Sequence, residues 1–256
     1  MSSETYLIMA DVEHEGGPGI HQSLFRKESN LDKYRRMVIG DQGWLRTIYF
    51  EFVILFFSLI PGALGLFCRK YLYRPLFKRV GKNVIFGRNL TLRHPHKISI
   101  GDNVIFDDEC LLDAKGETNS GIMISDYVSI GRFSSLVCKN GDIEIGSQVN
   151  IGSTVKIIIA ENGKITFGSN IDVGSNCHFS GGSYDYSRSE RLPSTQRLPT
   201  KGISVGDFAW IGVGVIVLDG VQIGKKSIVG AGAVVTQDIP ENSIAFGVPA
   251  EVVRER

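Results

Sequence analysis

The stretch ITFGSNIDVGSNCHFS, from Ile165 to Ser180, places a large apolar side chain at every sixth residue, namely Phe167, Val173 and Phe179. The same spacing continues in both directions as sets of three between Val80 and Val235. Steps inside a set are always six residues, and insertions fall between sets. An α-helix repeats near 3.6 residues and a single strand near 2, so neither explains this register. The spacing predicts a parallel β-solenoid with three short strands per turn.

Two further regularities support the register. Glycine follows the inward residue in twelve of the fourteen first and second strands, and it never follows the third. The fourth residue after the inward one is small or apolar almost throughout. Two inward side chains per six residues, with glycine relaxing a tight corner, are typical of a three-sided coil. We therefore predict about seven coils, with these inward markers: Val80, Phe86, Leu92, Ile100, Phe106, Leu112, Ile124, Ile130, Leu136, Ile145, Ile151, Ile157, Phe167, Val173, Phe179, Val205, Ile211, Val217, Ile223, Val229 and Val235.

Composition excludes several classes of protein. The formal net charge is +1, which gives no overall attraction to nucleic acid. The four cysteines form no CxxC pair, and Cys110 and Cys177 fall on inward positions, where a thiol acts as a small hydrophobe. This pattern favours a reducing cytoplasm over a disulfide or zinc scaffold. Residues 1–30 are polar, so we expect no secretion signal there.

A strongly apolar run precedes the repeats. Residues 48–68 read IYFEFVILFFSLIPGALGLFC and are apolar apart from Glu51 and Ser58. About 20 apolar residues suffice to span a bilayer, but Pro61-Gly62 interrupts this run and basic residues flank both ends. We predict that residues 45–79 form a bent pair of helices that anchors the chain in one leaflet, with cationic and aromatic side chains at the headgroups. A true span and a buried helix at an oligomer contact are the alternatives.

The C-terminal run WIGVGVIVLDGVQIGKKSIVGAGAVVTQDIPENSIAFGVPAEVVR, from Trp210 to Arg254, resembles the signature of hexapeptide-repeat acyltransferases. The resemblance implies a left-handed parallel β-helix that assembles as a homotrimer. It also implies transfer of an acyl group, usually acetyl from acetyl-CoA, to sugar hydroxyls or amines, antibiotics or serine. Carbonic anhydrases of the same architecture need three zinc-binding histidines, whereas the coils proper contain only His178, so we expect no metal.

The largest insertion, residues 181–204, is the expected place for a functional loop. Its sequence GGSYDYSRSERLPSTQRLPTKG resembles a segment of sugar O-acetyltransferases in which a histidine deprotonates the acceptor. Tyr184 stands at the position of that histidine, and tyrosine, with an ordinary pKa near 10, is a poor base at neutral pH. The resemblance therefore places Tyr184 in the acceptor pocket. Tyr186 and Arg188 are candidate substrate-binding residues, and Asp185 is a candidate base or orienting group.

His178 is the remaining candidate for the general base. It is the fifth residue counting from Val173, so we expect its side chain to point outward, one strand before the loop. An outward histidine is also compatible with a surface or subunit-contact role. The two interpretations predict different results when His178 is replaced.

The resemblance places CoA in the groove between the C-terminal coils of neighbouring subunits. Small residues at Gly230 and Gly232 are expected to let the pantetheine approach the backbone, and Arg254 to meet a CoA phosphate. Gln237 stands where relatives often carry lysine, and Lys225 is expected to compensate for it. The candidate CoA-binding residues are Trp210, Gly230, Gly232, Lys225 and Arg254.

These features give one leading hypothesis for function. The chain is expected to be an acyl-CoA-dependent transferase, most simply an O-acetyltransferase, acting on a sugar of a surface polysaccharide or of its lipid-linked precursor at the cytoplasmic face of the inner membrane. N-acylation of an amino sugar and a non-catalytic β-helix scaffold are the alternatives. We divide the chain into a polar segment (1–44), a helical anchor (45–79), a β-helix (80–239) and a C-terminal tail (240–256).

Overall fold

The computed structural model describes residues 29–182 and 200–256. Three sheets form the three sides of a β-helix, and their strands are parallel except for the antiparallel pairing of the last two strands of the second sheet. The first sheet contains β1 (Arg79–Val80), β4 (Ile98–Ile100), β7 (Ile122–Ile124), β10 (Asp142–Ile145), β13 (Lys164–Phe167), β16 (Ile203–Val205) and β19 (Gln222–Ile223). The second contains β2 (Ile85–Phe86), β5 (Ile105–Phe106), β8 (Ser129–Ile130), β11 (Val149–Ile151), β14 (Ile171–Val173), β17 (Trp210–Ile211), β20 (Ile228–Val229), β22 (Ser243–Gly247) and β23 (Ala250–Glu255). The third contains β3 (Thr91–Arg93), β6 (Leu111–Asp113), β9 (Ser135–Lys139), β12 (Lys156–Ala160), β15 (His178–Ser180), β18 (Ile216–Leu218) and β21 (Val234–Val235).

The predicted register is confirmed. Each inward marker is buried except Val80, which is only half-buried because it lies in the first coil, where no earlier coil covers it. The parallel ladders pair equivalent markers of successive coils, such as Ile151 with Val173 and Val173 with Ile211. Burial of each large aliphatic side chain stabilises the fold by roughly 1.5–3 kcal/mol. The core is therefore one continuous apolar column along the helix axis.

Glycine is required at the corners for a physical reason different from the one expected. They do not adopt the left-handed backbone conformation; that conformation occurs two residues later, at positions such as Asn103, Asn170 and Phe208. What requires glycine is the close approach of the next coil. A Cβ atom at Gly146 would lie 2.2 Å from the carbonyl oxygen of Gly168. Glycine is needed here because it has no side chain to collide with the neighbouring backbone.

Between residue 29 and the β-helix the structure describes three α-helices, α1 (Asn30–Val38), α2 (Trp44–Phe57) and α3 (Gly62–Leu72), and a short 3₁₀ helix (Arg74–Leu76). A second 3₁₀ helix (Pro95–Lys97) lies in the first corner insertion. The pair of helices predicted over residues 45–79 is present as α2 and α3. Helix α1 was not predicted, because the segment containing it was interpreted as polar chain without an element. Nor were β22 and β23, which continue the second sheet through the predicted tail. Within the described residues, no helix combines the length and apolar content needed to cross a bilayer.

A buried arginine holds the turn between α2 and α3. The side chain of Arg69 is only 2% exposed, and its guanidinium donates to the carbonyl oxygens of Ile60 at 2.8 Å, Phe57 at 3.1 Å and Phe86 at 3.0 Å. The last carbonyls of a helix have no partner inside the helix, and they carry partial negative charge. Arg69 satisfies them and joins the helix pair to strand β2.

Replacing Gly146 with alanine tests the close approach between coils. The added methyl group would collide with the Gly168 carbonyl, and we expect the free energy of unfolding to fall by about 1–3 kcal/mol. Ser125 occupies the equivalent corner position one coil earlier. Ser125→Ala is therefore the matched control, and chemical denaturation should leave it near the wild type. Equal stability of Gly146→Ala and wild type would contradict this explanation.

Candidate active site

His178 lies on the outer face of the third sheet, as its register predicts. It begins β15, and its neighbour Phe179 is fully buried. In the same outer row, Lys156 on β12 pairs with His178, which in turn pairs with Ile216 on β18. Adjacent strands are about 4.8 Å apart, so a lysine amino group is close to the imidazole. The row places a titratable ring between a cation and an apolar side chain.

The imidazole of His178 has a free ring nitrogen. Its Nε2 atom is buried and has no hydrogen-bond partner among residues 29–182 and 200–256. Burial lowers the pKa of His178, and the positive charge of Lys156 lowers it further. A neutral imidazole with an unpartnered nitrogen is the form that accepts a proton.

The large insertion follows β15 of the third sheet and precedes β16 of the first sheet, at the corner beside this row. The N–H of Gly181 donates to the carbonyl of Ile158 at 2.8 Å. On the returning side, the carboxylate of Asp219 accepts from the N–H groups of Lys201 and Gly202, each at 2.9 Å. The leaving end is therefore fixed three residues after His178, and the returning end is fixed by Asp219, which directly follows the neighbouring strand β18. Tyr184, Asp185, Tyr186 and Arg188 lie outside the described residues.

Two of the candidate CoA-binding residues share one row on the second sheet. The register pairs Trp210 with Ile228, Ile228 with Ile244, and Ile244 with Arg254. Trp210 is 52% exposed, and Arg254 is exposed as well. Three strand spacings, about 14 Å, separate them. An aromatic surface and a cation thus face outward on the same side of the C-terminal coils.

The two candidate glycines have different surroundings. A Cβ at Gly230 would lie 1.9 Å from the ring of Phe246, so this backbone is already covered within the chain. Gly232 adopts a left-handed φ of +72°, and a Cβ there would meet nothing within 4 Å. Of the two glycines, Gly232 is the open one. It lies at the corner between the second and third sheets, between β20 and β21.

Lys225 is engaged at the corner between the first and second sheets. Its amino group lies 3.5 Å from the carboxylate of Asp207. A hydrogen bond from the Ser169 N–H, together with Lys225, lowers the pKa of Asp207. The lysine side chain is nevertheless largely exposed, and surface ion pairs of this kind contribute only about 0–1 kcal/mol. An incoming phosphate can therefore compete for Lys225.

The structure does not bring the catalytic and CoA-binding candidates together within one chain. His178 belongs to the third sheet, whereas Trp210 and Arg254 belong to the second. Side chains on two sides of a three-sided coil diverge. Three residues that bear on the site were missed from the sequence: Lys156, Asp219 and Phe246. The register alone is enough to find Lys156, because it is the fifth residue after Ile151, as His178 is after Val173.

The described residues offer neither a metal site nor a reactive thiol at Cys110 or Cys138. Within residues 29–182 and 200–256, no group of three or more His, Cys, Asp or Glu side chains is arranged to hold a metal ion. Burial raises the pKa of the Cys110 and Cys138 thiols to about 12, so both remain protonated at neutral pH. Protonated, buried thiols are poor nucleophiles.

Comparison with known proteins identifies the family of this chain. Residues 202–237 match the model for the bacterial transferase hexapeptide (six repeats). The dTDP-4-amino-4,6-dideoxy-D-glucose acyltransferase of Escherichia coli is 33% identical over 181 residues, which cover 70% of this chain and 83% of that relative. The chain belongs to the hexapeptide-repeat transferase family. The putative lipopolysaccharide biosynthesis O-acetyl transferase WbbJ of Escherichia coli K12 is 28% identical over 169 residues, 64% of this chain and 74% of that protein.

A solved N-acyltransferase has the same fold. A variant of AntD, an N-acyltransferase from Bacillus cereus in complex with dTDP-4-amino-4,6-dideoxyglucose and coenzyme A, superposes with a TM-score of 0.52. It is 24% identical and covers 73% of this chain and 89% of its own. At this identity the likeness concerns the fold.

The electrostatic coupling between Lys156 and His178 predicts a pH effect. In Lys156→Gln the nearby positive charge is lost, so the pKa of His178 should rise toward its ordinary value. A higher pKa leaves less neutral imidazole at a given pH, and the acid limb of kcat/KM should move to higher pH. NMR titration of the His178 ring measures the same shift directly. Lys164→Gln removes an equal charge from the first sheet and should leave His178 unchanged; an unchanged His178 in Lys156→Gln would contradict the coupling.

Proposed function

We propose that this hexapeptide transferase is an acyl-CoA-dependent enzyme that moves an acyl group, most simply acetyl, to a sugar hydroxyl of a surface polysaccharide or of its lipid-linked precursor. The observation that carries the proposal is the neutral, unpartnered Nε2 of His178 beside the base of the large insertion. The relatives support the substrate class, since one is named for an amino sugar nucleotide and another for lipopolysaccharide biosynthesis.

In the proposed reaction His178 is the general base. Its Nε2 takes the proton of the acceptor hydroxyl as the oxygen attacks the thioester carbonyl. The new C–O bond forms, the C–S bond breaks, and the proton passes from the imidazolium to the departing thiolate of CoA. A positioned base of this kind contributes about 10² to 10⁴ in rate. Tyr184 and Asp185 are proposed to line the acceptor pocket, with Tyr186 and Arg188 holding the sugar.

The donor is proposed to lie along the second sheet of a neighbouring subunit in a homotrimer. Trp210 and Arg254 point outward in one row there, and Gly232 leaves open space at the adjacent corner. Arg254 and Lys225 supply cations for the phosphates of CoA. Gly230 takes part in this surface through Phe246, which covers it.

N-acylation of an amino sugar is the second candidate. It is favoured by the relative that is 33% identical and is named as an acyltransferase of an amino sugar nucleotide. A neutral amine is already nucleophilic, so this reaction depends less on a base. The two candidates therefore differ in their requirement for His178.

Replacing His178 separates the two reactions. With acetyl-CoA and a panel of sugar and amino-sugar acceptors, His178→Asn should lower O-acetyl transfer by about 10² or more while assembly and CoA binding persist. Tyr184→Phe should cost less. Mass spectrometry before and after mild alkali distinguishes the product, because an ester is cleaved and an amide persists. Full activity of His178→Asn on hydroxyl acceptors would exclude it as the base, and the absence of any transfer by the wild type would favour a scaffold.

We further propose that α2 and α3 hold the enzyme at the cytoplasmic face of the inner membrane. Their outer surface is rich in exposed apolar side chains, and Leu55 is 73% and Leu64 is 65% exposed. Glu51, the charge within the run, is engaged by the hydroxyl of Tyr34 at 2.5 Å on the side that faces α1. Arg69 satisfies the carbonyls of the turn, which would otherwise be costly to place near hydrocarbon. The exposed large apolar side chains are Trp44, Leu45, Ile48, Phe52, Leu55, Phe56, Leu59, Leu64, Leu66, Phe67 and Tyr71.

Charged substitutions on this surface test the membrane proposal. Leu55→Asp combined with Leu64→Asp should abolish co-flotation with phosphatidylglycerol–phosphatidylcholine vesicles, because each aspartate would enter the acyl boundary. Met123→Asp replaces an equally large, exposed apolar side chain on the β-helix and should float like wild type. If wild-type protein does not float, while the double variant changes the oligomer mass, the helices form a subunit contact instead.

A further inference from the structure

A basic cluster on the outer face of the third sheet lies outside the candidate site. It consists of Arg93 at the end of β3, Lys115 just beyond β6 and Lys139 at the end of β9. The N–H of Asn140 donates to the carbonyl of Lys115 at 3.0 Å, so the two lysines stand on adjacent coils. Like charges on neighbouring strands destabilise a sheet. The clustering of three cations on neighbouring strands therefore calls for a functional explanation.

The single carboxylate in the cluster is already engaged. Asp113 is 3% exposed; one of its oxygens lies 3.5 Å from the guanidinium of Arg93, and the other accepts from the N–H of Lys115 at 3.0 Å. Among the described residues, no carboxylate lies within ion-pair distance of the amino group of Lys115 or Lys139. Three cations thus face one buried anion, which leaves positive charge uncompensated at a partly desolvated site.

Partial burial strengthens the attraction of this excess positive charge for an anion. Lys115 is half-buried, since α1 packs against β3 at this end of the sheet. Its pKa is lowered by burial first, and then by Lys139, Arg93 and Arg36, while Asp113 acts in the opposite direction. Desolvated ammonium and guanidinium groups that converge in this way favour a multivalent oxyanion such as phosphate.

The cluster and His178 share the outer face of the third sheet. Strands β9 and β15 are separated by two strand spacings, about 10 Å, and Lys139 lies four residues further along β9 than Ser135, which is level with His178. The backbones of Lys139 and His178 are therefore roughly 16 Å apart. The cluster lies toward the N-terminal coils, where α1, α2 and α3 join the β-helix. An acceptor whose reacting hydroxyl reaches His178 would therefore extend its other end toward the lysines.

We propose that the basic cluster of Arg93, Lys115 and Lys139 binds the diphosphate of the acceptor. The acceptor is then a sugar carried on a diphosphate, either a nucleoside diphosphate sugar or a lipid diphosphate sugar, and not a free sugar. This inference rests on the proposed sugar acyltransferase function and names the chemical class of its acceptor. The cluster binds the diphosphate end of the acceptor and takes no part in acyl transfer.

Binding of inorganic pyrophosphate to the full-length protein tests the cluster without any acyl donor. We expect isothermal titration to show saturable binding that weakens with salt, and the Lys115→Gln/Lys139→Gln variant to lose about tenfold or more in affinity. Lys82→Gln removes a charge from an exposed corner between the first and second sheets and should bind like wild type. Arg93 is left intact, because its removal would strand the buried carboxylate of Asp113.

Thermal unfolding distinguishes a binding role from a structural one. Without ligand, the double variant should unfold at or above the wild-type temperature, because a like-charge pair has been removed. Pyrophosphate should raise the midpoint of wild type and of Lys82→Gln but not that of the double variant. Unaltered pyrophosphate binding by the double variant, or a lower midpoint without ligand, would overturn the proposal.

Competition then identifies the source of the diphosphate. dTDP-glucose represents the soluble class, and phosphatidylcholine vesicles containing a polyprenyl diphosphate represent the lipid class. Displacement of pyrophosphate by one of them supports the proposal and assigns that class; displacement by neither refutes it. Because no acyl donor is present, failure of this test leaves the acyltransferase proposal standing, and absence of acyl transfer leaves a positive binding result standing.

Discussion

Contact between the backbones of successive coils is the constraint on which the rest of this structure depends. The inward side chains stack at the spacing of a β-ladder, so each corner passes directly beneath the next one. At Gly146 the gap to the following coil is too small for a single methyl group. The glycine pattern and the six-residue period therefore express one requirement, that the chain return to the same angular position every turn. Insertions fall between sets of three strands, as between β15 and β16.

This constraint explains which features the sequence predicts well. Position in the register determines whether a side chain faces the core, and it correctly placed Phe179 inward and His178 outward. The physical role of the corner glycines was less accessible, because the distance between coils is a property of the stacked structure. Helix α1 was missed although Ser29 and Asp32 form a capping pair, with the Asp32 N–H donating to the Ser29 hydroxyl at 3.1 Å. A cap directly before a helix of nine residues is a weak signal beside the long polar segment around it.

The site was harder to predict than the fold, since its members come from different coils. Lys156 reaches His178 only through strand pairing, and Asp219 reaches the returning end of the insertion from a later coil. Phe246 covers Gly230 because β22 extends the second sheet beyond the last repeat. The pairing of Lys156 with His178 can be derived from the six-residue register, whereas the contacts of Asp219 and Phe246 cannot be derived from local spacing. These contacts become apparent once the sheets are assembled and the outward residues of neighbouring strands are compared.

The division of candidate residues between two sheets has a consequence for assembly. A straight three-sided coil presents each row of outer side chains to a different direction, so Trp210 and Arg254 on the second sheet diverge from His178 on the third. A CoA donor that lies along the row of Trp210 and Arg254 cannot also contact the imidazole of His178 in the same chain without bending around the corner at Gly232. A second copy placed with its second sheet against the third sheet of the first chain removes this difficulty. The buried, unpartnered Nε2 of His178 then faces a donor supplied by the neighbour, which is why we propose that the active site of this transferase forms between subunits.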